Sequence, residues 1–315
     1  MPKILVVMDP DETQHSALNR IKETPIGQSH FKVVYYLSQT VTLENAHSFL
    51  KVLKEKKNWL ANIVQPLVDE GHDIETEVKL FYRLYEAIIC SAYEFEADFI
   101  FKPLRQHSSL RRALFTSTDW NLIRFCPCPL LLVNGSDTLG GSSVLAAIDL
   151  AGRNSAHENL NRIILEHAGL IAELLGSTVH MVNAYSSVSV PTGSVAFPDP
   201  STYQIIQSKR DLLLERGFSL AAEVGIPEDK VHLCEGAESL VISECAQEVD
   251  AGIIVIGTVA RSGMAGLFIG NTAERVVECA ECDVFVVKPL GFVSPITPAS
   301  LETDSAMINP RHSAA

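Results

Sequence analysis

The sequence is an internal duplication, and that limits the folds open to it more than any other feature. Lys3-Ile-Leu-Val-Val-Met-Asp9, an apolar run closed by a carboxylate, returns 140 residues later as Ser143-Val-Leu-Ala-Ala-Ile-Asp149. Near the other end of each copy, Ala97, Phe101, Thr118 and Cys128 correspond to Ala251, Val255, Thr272 and Cys282 at a constant offset of 154. The landmarks keep their order, so each half is one folding unit. A chain of 315 residues is long enough for two domains of roughly 150.

Within the second copy, short apolar runs at 144–148, 179–182, 231–233, 253–256 and 284–287 have the character of strands buried on both faces. Helical periods separate them. Residues 156–175 set Ala156, Leu160, Ile163, Ile164, His167 and Ile171 on one stripe that stops at Gly176. The next helix, 200–223, is broken by Gly225-Ile-Pro227, and 238–249 and 271–280 supply two more. The first copy repeats the pattern, with strands near 3–8, 32–36, 74–80, 98–102 and 129–133 and helices near 43–70, 84–96 and 117–126. Its first helix is cut short by Pro25 and Gly27. Alternating β and α with short connections requires right-handed crossovers and a parallel sheet covered on both faces. The expected fold is therefore α/β, two tandem five-stranded parallel-sheet, Rossmann-like domains at 1–138 and 143–290. A polar linker occupies 134–142, and a Pro-, Ser- and Thr-rich mobile tail follows at 291–315.

A formal net charge of −13 argues against a broad nucleic-acid or anionic-membrane surface, because phosphate contacts need clustered Lys and Arg. No apolar run approaches the ~20 residues that span a bilayer, and the N-terminus runs straight into a strand without a signal peptide. Seven cysteines, an odd number, suit a reducing cytoplasm better than a disulfide framework. Cys279-Ala-Glu-Cys282 has CxxC spacing, but no second such pair lies nearby to complete a metal site.

For function, the informative stretch is 257–272, Gly-Thr-Val-Ala-Arg-Ser-Gly-Met-Ala-Gly-Leu-Phe-Ile-Gly-Asn-Thr. A glycine loop follows an apolar strand and opens a helix, which is where an α/β fold binds phosphate. The same slot in the first copy, 103–118, carries Pro103, Gln106 and Thr116 in place of Gly257, Ala260 and Gly270. Proline fixes the backbone and lacks an N–H, so only the second copy offers a cradle. Arg111 and Arg112 in that slot read as a solvated pair or as contacts for another anion, and Trp120 as an interface or core anchor.

Several motifs together resemble tandem members of the universal stress protein family. They are Val144-Leu-Ala-Ala-Ile-Asp149, Ile253-Ile-Val-Ile-Gly257-Thr258, Arg261-Ser-Gly263 and Phe268-Ile-Gly270-Asn-Thr-Ala-Glu274, with Phe115-Thr-Ser-Thr-Asp-Trp120 and Cys126-Pro-Cys-Pro129 in the first copy. The resemblance covers about residues 1–290. It implies adenine nucleotide alpha hydrolase-like domains and a role in resistance to DNA damage and other stress. Nucleotide-binding members show Gly, two residues, Gly, nine residues, then Gly with Ser or Thr. Here the spacing is kept as Gly257, Ala260 and Gly270 followed by Asn271 and Thr272, with Ala260 adding a methyl and Asn271 replacing a hydroxyl. The implied ligand is ATP or another adenine nucleotide in the second domain, bound more weakly through Asp149, Gly257, Thr258, Ala260, Arg261, Ser262, Gly263, Gly270, Asn271 and Thr272. Asp149 would meet the ribose or adenine side, or else simply cap a turn. Arg261 is a phosphate contact or a solvated cation, and Gly263 a phosphate contact or a turn residue.

No catalytic set converges. The sequence has no Gly-x-Ser-x-Gly elbow and no Walker loop, and His157 and His167 are not spaced as a metal pair. With the resemblance, the expected protein is a cytoplasmic stress-response protein, non-catalytic or weakly nucleotide-binding, whose second domain binds, or descends from a domain that bound, an adenine nucleotide. The alternative is an interaction module taking an apolar small molecule or protein partner through the insert Val188-Ser-Val-Pro-Thr-Gly-Ser-Val-Ala-Phe197, within 186–198, and weak ATP hydrolysis is a third reading. Strands 284–287 and 130–133 are edges through which the two halves, or two chains in a homodimer, would pair.

Overall fold

The computed structural model describes residues 1–8, 15–38, 46–107, 110–135, 139, 141–152, 154–185, 200–258 and 270–299. They belong to two compact units, Met1–Thr138 with the segment from Gly291, and Leu139–Val259 with Ile269–Leu290. In the first unit β1 (Lys3–Met8), β2 (His30–Ser38), β3 (Asp73–Phe81), β4 (Phe99–Pro103) and β7 (Leu130–Val133) stand parallel in the order β7-β4-β1-β2-β3. Helices α1 (Ser16–Lys22), α2 (Ala46–Asp69), α3 (Leu84–Phe95) and α4 (Ser117–Phe125) connect them. The second unit has the same plan, with β8 (Ser143–Ala147), β9 (Thr178–Tyr185), β10 (Val231–Glu235), β11 (Ala251–Gly257) and β12 (Asp283–Val287). These strands too are parallel, in the order β10-β9-β8-β11-β12, with α5 (Ser155–Leu175), α6 (Pro200–Glu223), α7 (Glu238–Glu248) and α8 (Asn271–Cys279) between them.

The central strands are apolar because both their faces are covered. Leu5, Val6, Val33, Ile100, Leu145, Ile254 and Val255 are fully buried. The edge strand β3 is mixed in charge instead, with Lys32 placed 2.9 Å from Glu77 and Lys79 paired to Glu94, a composition that discourages further strand pairing. Helix ends follow local chemistry. Asn154 caps α5 by accepting the His157 amide at 2.9 Å, and Gly176 closes it with φ 61°.

The offset of 154 read from the sequence persists in the backbone. Helices α4 and α8 are nine residues each in register. Glu96 and Asp250, at φ 53° and 50°, end equivalent helices in the left-handed region. The Leu104 amide donates to the Val133 carbonyl as the Thr258 amide does to Val287, at 2.8 and 3.0 Å. Gly141, in the expected linker, has φ +86°, and a Cβ there would lie 2.4 Å from the Asp250 carbonyl, so glycine is required where the chain enters β8.

One difference concerns the first-unit slot read as a loop at 103–118. It contains an antiparallel ribbon, β5 (Arg105–His107) with β6 (Leu110–Leu114), which has Gln106 opposite Ala113. Arg-Gln-His and Leu-Arg-Arg-Ala-Leu do not alternate apolar and polar residues, so a period of two had nothing to register. Residues 291–299, read as the start of a tail, group with the first unit. There Ser294 is buried, and its hydroxyl donates to the Ile296 carbonyl and accepts the Ile296 amide, both at 3.1 Å. Residues 300–315 lie outside the described residues. No described helix is long and apolar enough to cross a membrane.

Candidate functional site

In the second unit the chain runs from β8 to one side of the sheet, through β9 to β10, and from β11 to the other, to β12. The crevice above the carboxyl ends of β8 and β11 is the topological switch point, where open α/β sheets bind ligands. Four predicted residues meet this end of the sheet: Asp149 just past β8, Gly257 and Thr258 at the end of β11, and Gly270 at the start of α8.

Asp149 is exposed. Its Oδ1 accepts the amides of Ala151 at 2.9 Å and Gly152 at 3.1 Å, the turn-capping geometry. Its Oδ2 takes no bond among the described residues. The backbone beneath is clamped by residues that sequence reasoning missed. Buried Asn161 on α5 accepts the Asp149 amide at 3.0 Å and donates to its carbonyl at 2.8 Å. Buried Asn183 on β9 accepts the Leu150 amide at 2.8 Å, and Arg216 on α6 donates to the Leu150 carbonyl at 3.2 Å. The signal was present: each asparagine interrupts an otherwise apolar stripe, and a buried amide needs partners.

Gly257 lacks a side chain for a reason that lies below the crevice. A Cβ there would meet Leu160 of α5, 2.7 Å from its Cγ and 2.8 Å from both its δ carbons. The buried Thr258 gives both its amide, at 3.0 Å, and its hydroxyl, at 3.3 Å, to the Val287 carbonyl. Gly270 differs, because among the described residues a Cβ there would meet nothing within 4 Å, and its φ of −63° is open to any residue. It leaves the start of α8 without a side-chain cap. Helices begin with unpaired N–H groups and a partial positive charge, so this end is suited to an anion. Asn271 and Thr272 begin the helix, but their side chains are outside the description. Ala260, Arg261, Ser262 and Gly263 lie outside the described residues, as does the insert 188–197.

The matching corner of the first unit is filled. Lys102 of β4 is buried, and its Nζ lies 2.6 Å from Asp119 Oδ1 and 2.6 Å from the Pro103 carbonyl. The other oxygen, Asp119 Oδ2, accepts from the amide of Thr116 at 2.6 Å and its hydroxyl at 2.7 Å, closing a capping box on α4.

Elsewhere two histidines far apart in sequence stand together on adjacent strands. His180 of β9 and His232 of β10 stack with ring centroids 5.2 Å apart and Nδ1 to Nε2 at 2.9 Å, and burial lowers the pKa of both. Among the described residues no three His, Cys, Asp or Glu side chains gather to hold a metal. Within the CxxC pair Cys279 is exposed, whereas burial, reinforced by Asp283, pushes Cys282 up to about 12.

Residues 1–134 and 143–288 each match the universal stress protein family. The chain is 32% identical over 305 residues to universal stress protein E of Escherichia coli K12, covering 93% of this chain and 96% of that one. It is 26% identical over 300 residues to the universal stress protein E homolog of Haemophilus influenzae, covering 91% and 97%. Among solved structures, a functionally unknown protein from Pseudomonas aeruginosa PAO1 superposes with a TM-score of 0.73 at 30% identity, over 92% of this chain and 93% of its own. A universal stress protein from Archaeoglobus fulgidus shares the fold at 17% identity, with a TM-score of 0.63 over 91% and 98%.

Proposed function

This chain belongs to the universal stress protein family, and from that premise we propose a non-catalytic, cytoplasmic protein whose second unit binds ATP or another adenine nucleotide at the ends of β8 and β11. The observation that carries the reading is the pairing, at one switch point, of an exposed Asp149 carboxylate with a helix start at Gly270, where a Cβ would meet none of the described residues. In this reading Asp149 Oδ2 accepts from a ribose hydroxyl while Oδ1 stays with the loop amides. The first amides of α8, with the hydroxyls of Ser262 and Thr272 and the guanidinium of Arg261, hold the phosphates. Gly257 and Thr258 contribute indirectly, the first by seating α5 and the second by tying β11 to β12.

The role is that of a sensor or carrier. Nucleotide held more tightly by one arrangement of the 257–272 segment than by another shifts the population toward that arrangement, which is how binding without chemistry conveys a signal. That signal would act in resistance to DNA damage and other stress. Isothermal titration of the folded full chain with ATP tests the reading, with saturable heat at a stoichiometry near one per chain as the expected result. Absence of heat at millimolar ATP removes the nucleotide.

A further inference from the structure

We infer that the first unit carries its own anion: the Asp119 carboxylate occupies the place of an anionic ligand at the start of α4, locked there by the buried Lys102 ammonium, so this unit admits a small carboxylate only when the Asp119 side chain is removed. Lys102 is the anomaly that points to it. The residue sits in a strand between Phe101 and Pro103 with 5% of its surface exposed, where the second unit has the buried Ile256. An ammonium is tolerated at such a place only when paired and hydrogen-bonded. Both requirements are met by different groups: Nζ forms an ion pair with Asp119 Oδ1 and donates a hydrogen bond to the Pro103 carbonyl, each at 2.6 Å, and Asp119 itself is fully buried.

The Asp119 carboxylate thus collects an ammonium, the Thr116 hydroxyl and the Thr116 amide at the start of a helix. That is the kind of donor set an α/β fold turns toward a bound phosphate. A capping box alone accounts for the Oδ2 half, but a helix cap needs no buried lysine. In the second unit the three positions change together, Lys102 to Ile256, Thr116 to Gly270 and Asp119 to Ala273. None of these three replacements can supply a cation, an anion or a side-chain cap, and Gly270 makes no side-chain cap hydrogen bond at the start of α8. Such joint replacement fits one unit that supplies its anion from its own chain and one that takes it from solution. Only this contrast rests on the nucleotide reading above, and the claim about the first unit stands without it.

The test is chemical rescue in the full chain. Unfolding of Asp119→Gly is followed through the fluorescence of Trp59 and Trp120, the two tryptophans of the sequence, in sodium formate and in sodium chloride at equal ionic strength. Leaving Lys102 buried and unpaired is expected to lower the folding equilibrium by about 10²- to 10⁴-fold. Formate at about 100 mM, bound with a Kd of about 10 mM, would recover about tenfold of that and saturate, while the parent protein unfolds identically in both salts. A folded variant with equal midpoints in the two salts overturns the proposal, as does a parent that responds to formate. Should Asp119→Gly fail to fold in either salt, the double variant Lys102→Met, Asp119→Gly decides the matter. Recovery of a cooperative transition that ignores formate is expected if the unpaired ammonium is the cause, and continued failure to fold overturns the proposal. ATP takes no part in this experiment, so its outcome is independent of nucleotide binding by the second unit.

Discussion

Replacing Gly257 with alanine separates two reasons for a glycine at the end of β11. If the residue is there for ligand approach, a methyl group costs affinity and leaves the fold alone; if it is there for packing, the fold pays first. The added carbon would lie 2.7 Å from Leu160 Cγ and 2.8 Å from Cδ1 and Cδ2, against about 3.5–4.0 Å for carbon atoms at rest. Because the branch carbon is among the overlapped atoms, swinging one terminal methyl gives no relief, and Leu160 is itself buried on α5. Overpacking of this kind costs about 1–3 kcal/mol. Gly257 has no left-handed φ, so alanine returns about 0.4–1 kcal/mol by stiffening the unfolded chain. The net loss is about 1–2 kcal/mol, or about 2–8 °C in the unfolding midpoint of a unit of ~150 residues. Hydrogen exchange read by mass spectrometry should quicken in peptides covering 155–175 and 251–258 and stay unchanged in β1 and β4. Leu160→Ala alone should cost about 2–5 kcal/mol, and the double variant should fall short of the summed cost by about 1 kcal/mol or more, since the new methyl then fills vacated space. Unchanged stability with lost ATP binding would refute the packing argument, and so would additivity within about 0.5 kcal/mol.

Two further predictions concern titratable groups. Burial holds His180 and His232 below their ordinary 6.5, with Lys230 pushing both the same way, Asp229 opposing at both and Glu248 opposing at His232. The folded state therefore binds fewer protons than the unfolded chain just below pH 6.5, so the contribution of the pair is complete above that pH and is lost as pH falls through the lowered values. Urea midpoints measured from pH 7.5 to 5 should fall less steeply for His232→Gln than for the parent, and parallel curves would count against the coupling. Burial pushes the thiols of Cys245 and Cys282 up to about 12, whereas Cys279 is exposed. Brief N-ethylmaleimide treatment at pH 7.5 followed by peptide mapping should therefore mark Cys279 before either, and early labelling of Cys282 would contradict its burial.

The fold was legible because its signals are local and doubled. The continuous apolar runs at 253–256 and 284–287 could only be strands covered on both faces, and they are β11 and β12. Pro25 and Gly27 marked the short α1, and Gly176 marked the end of α5. Where the reading fell short, the missing information was pairwise. Nothing in the immediate sequence of Gly257 says that Leu160, 97 residues earlier, occupies the space a side chain would need. Likewise His180 and His232 are 52 residues apart in sequence and join only because β9 and β10 are neighbours in the sheet. Asn161 and Asn183 were visible as polar breaks in apolar stripes, yet which backbone groups they serve depends on how the loop after β8 folds back over them.

The asymmetry between the copies also has a physical basis. A helix start facing a crevice exposes N–H groups that need acceptors, whether from water, from a side chain or from a ligand. The first unit meets that need permanently, through a carboxylate paired to a buried lysine, and the arrangement is costly to disturb because either partner alone would be a buried unpaired charge. The second unit has a small residue at each of the corresponding helix positions, Gly270 and Ala273, so neither of them offers a side-chain acceptor to the start of α8. A glycine N-cap forgoes only a few tenths of a kcal/mol relative to threonine, a loss that an acceptor from solution makes good. Two copies on one chain can divide the work in this way, one contributing stability and the other responding to a ligand, without either fold changing.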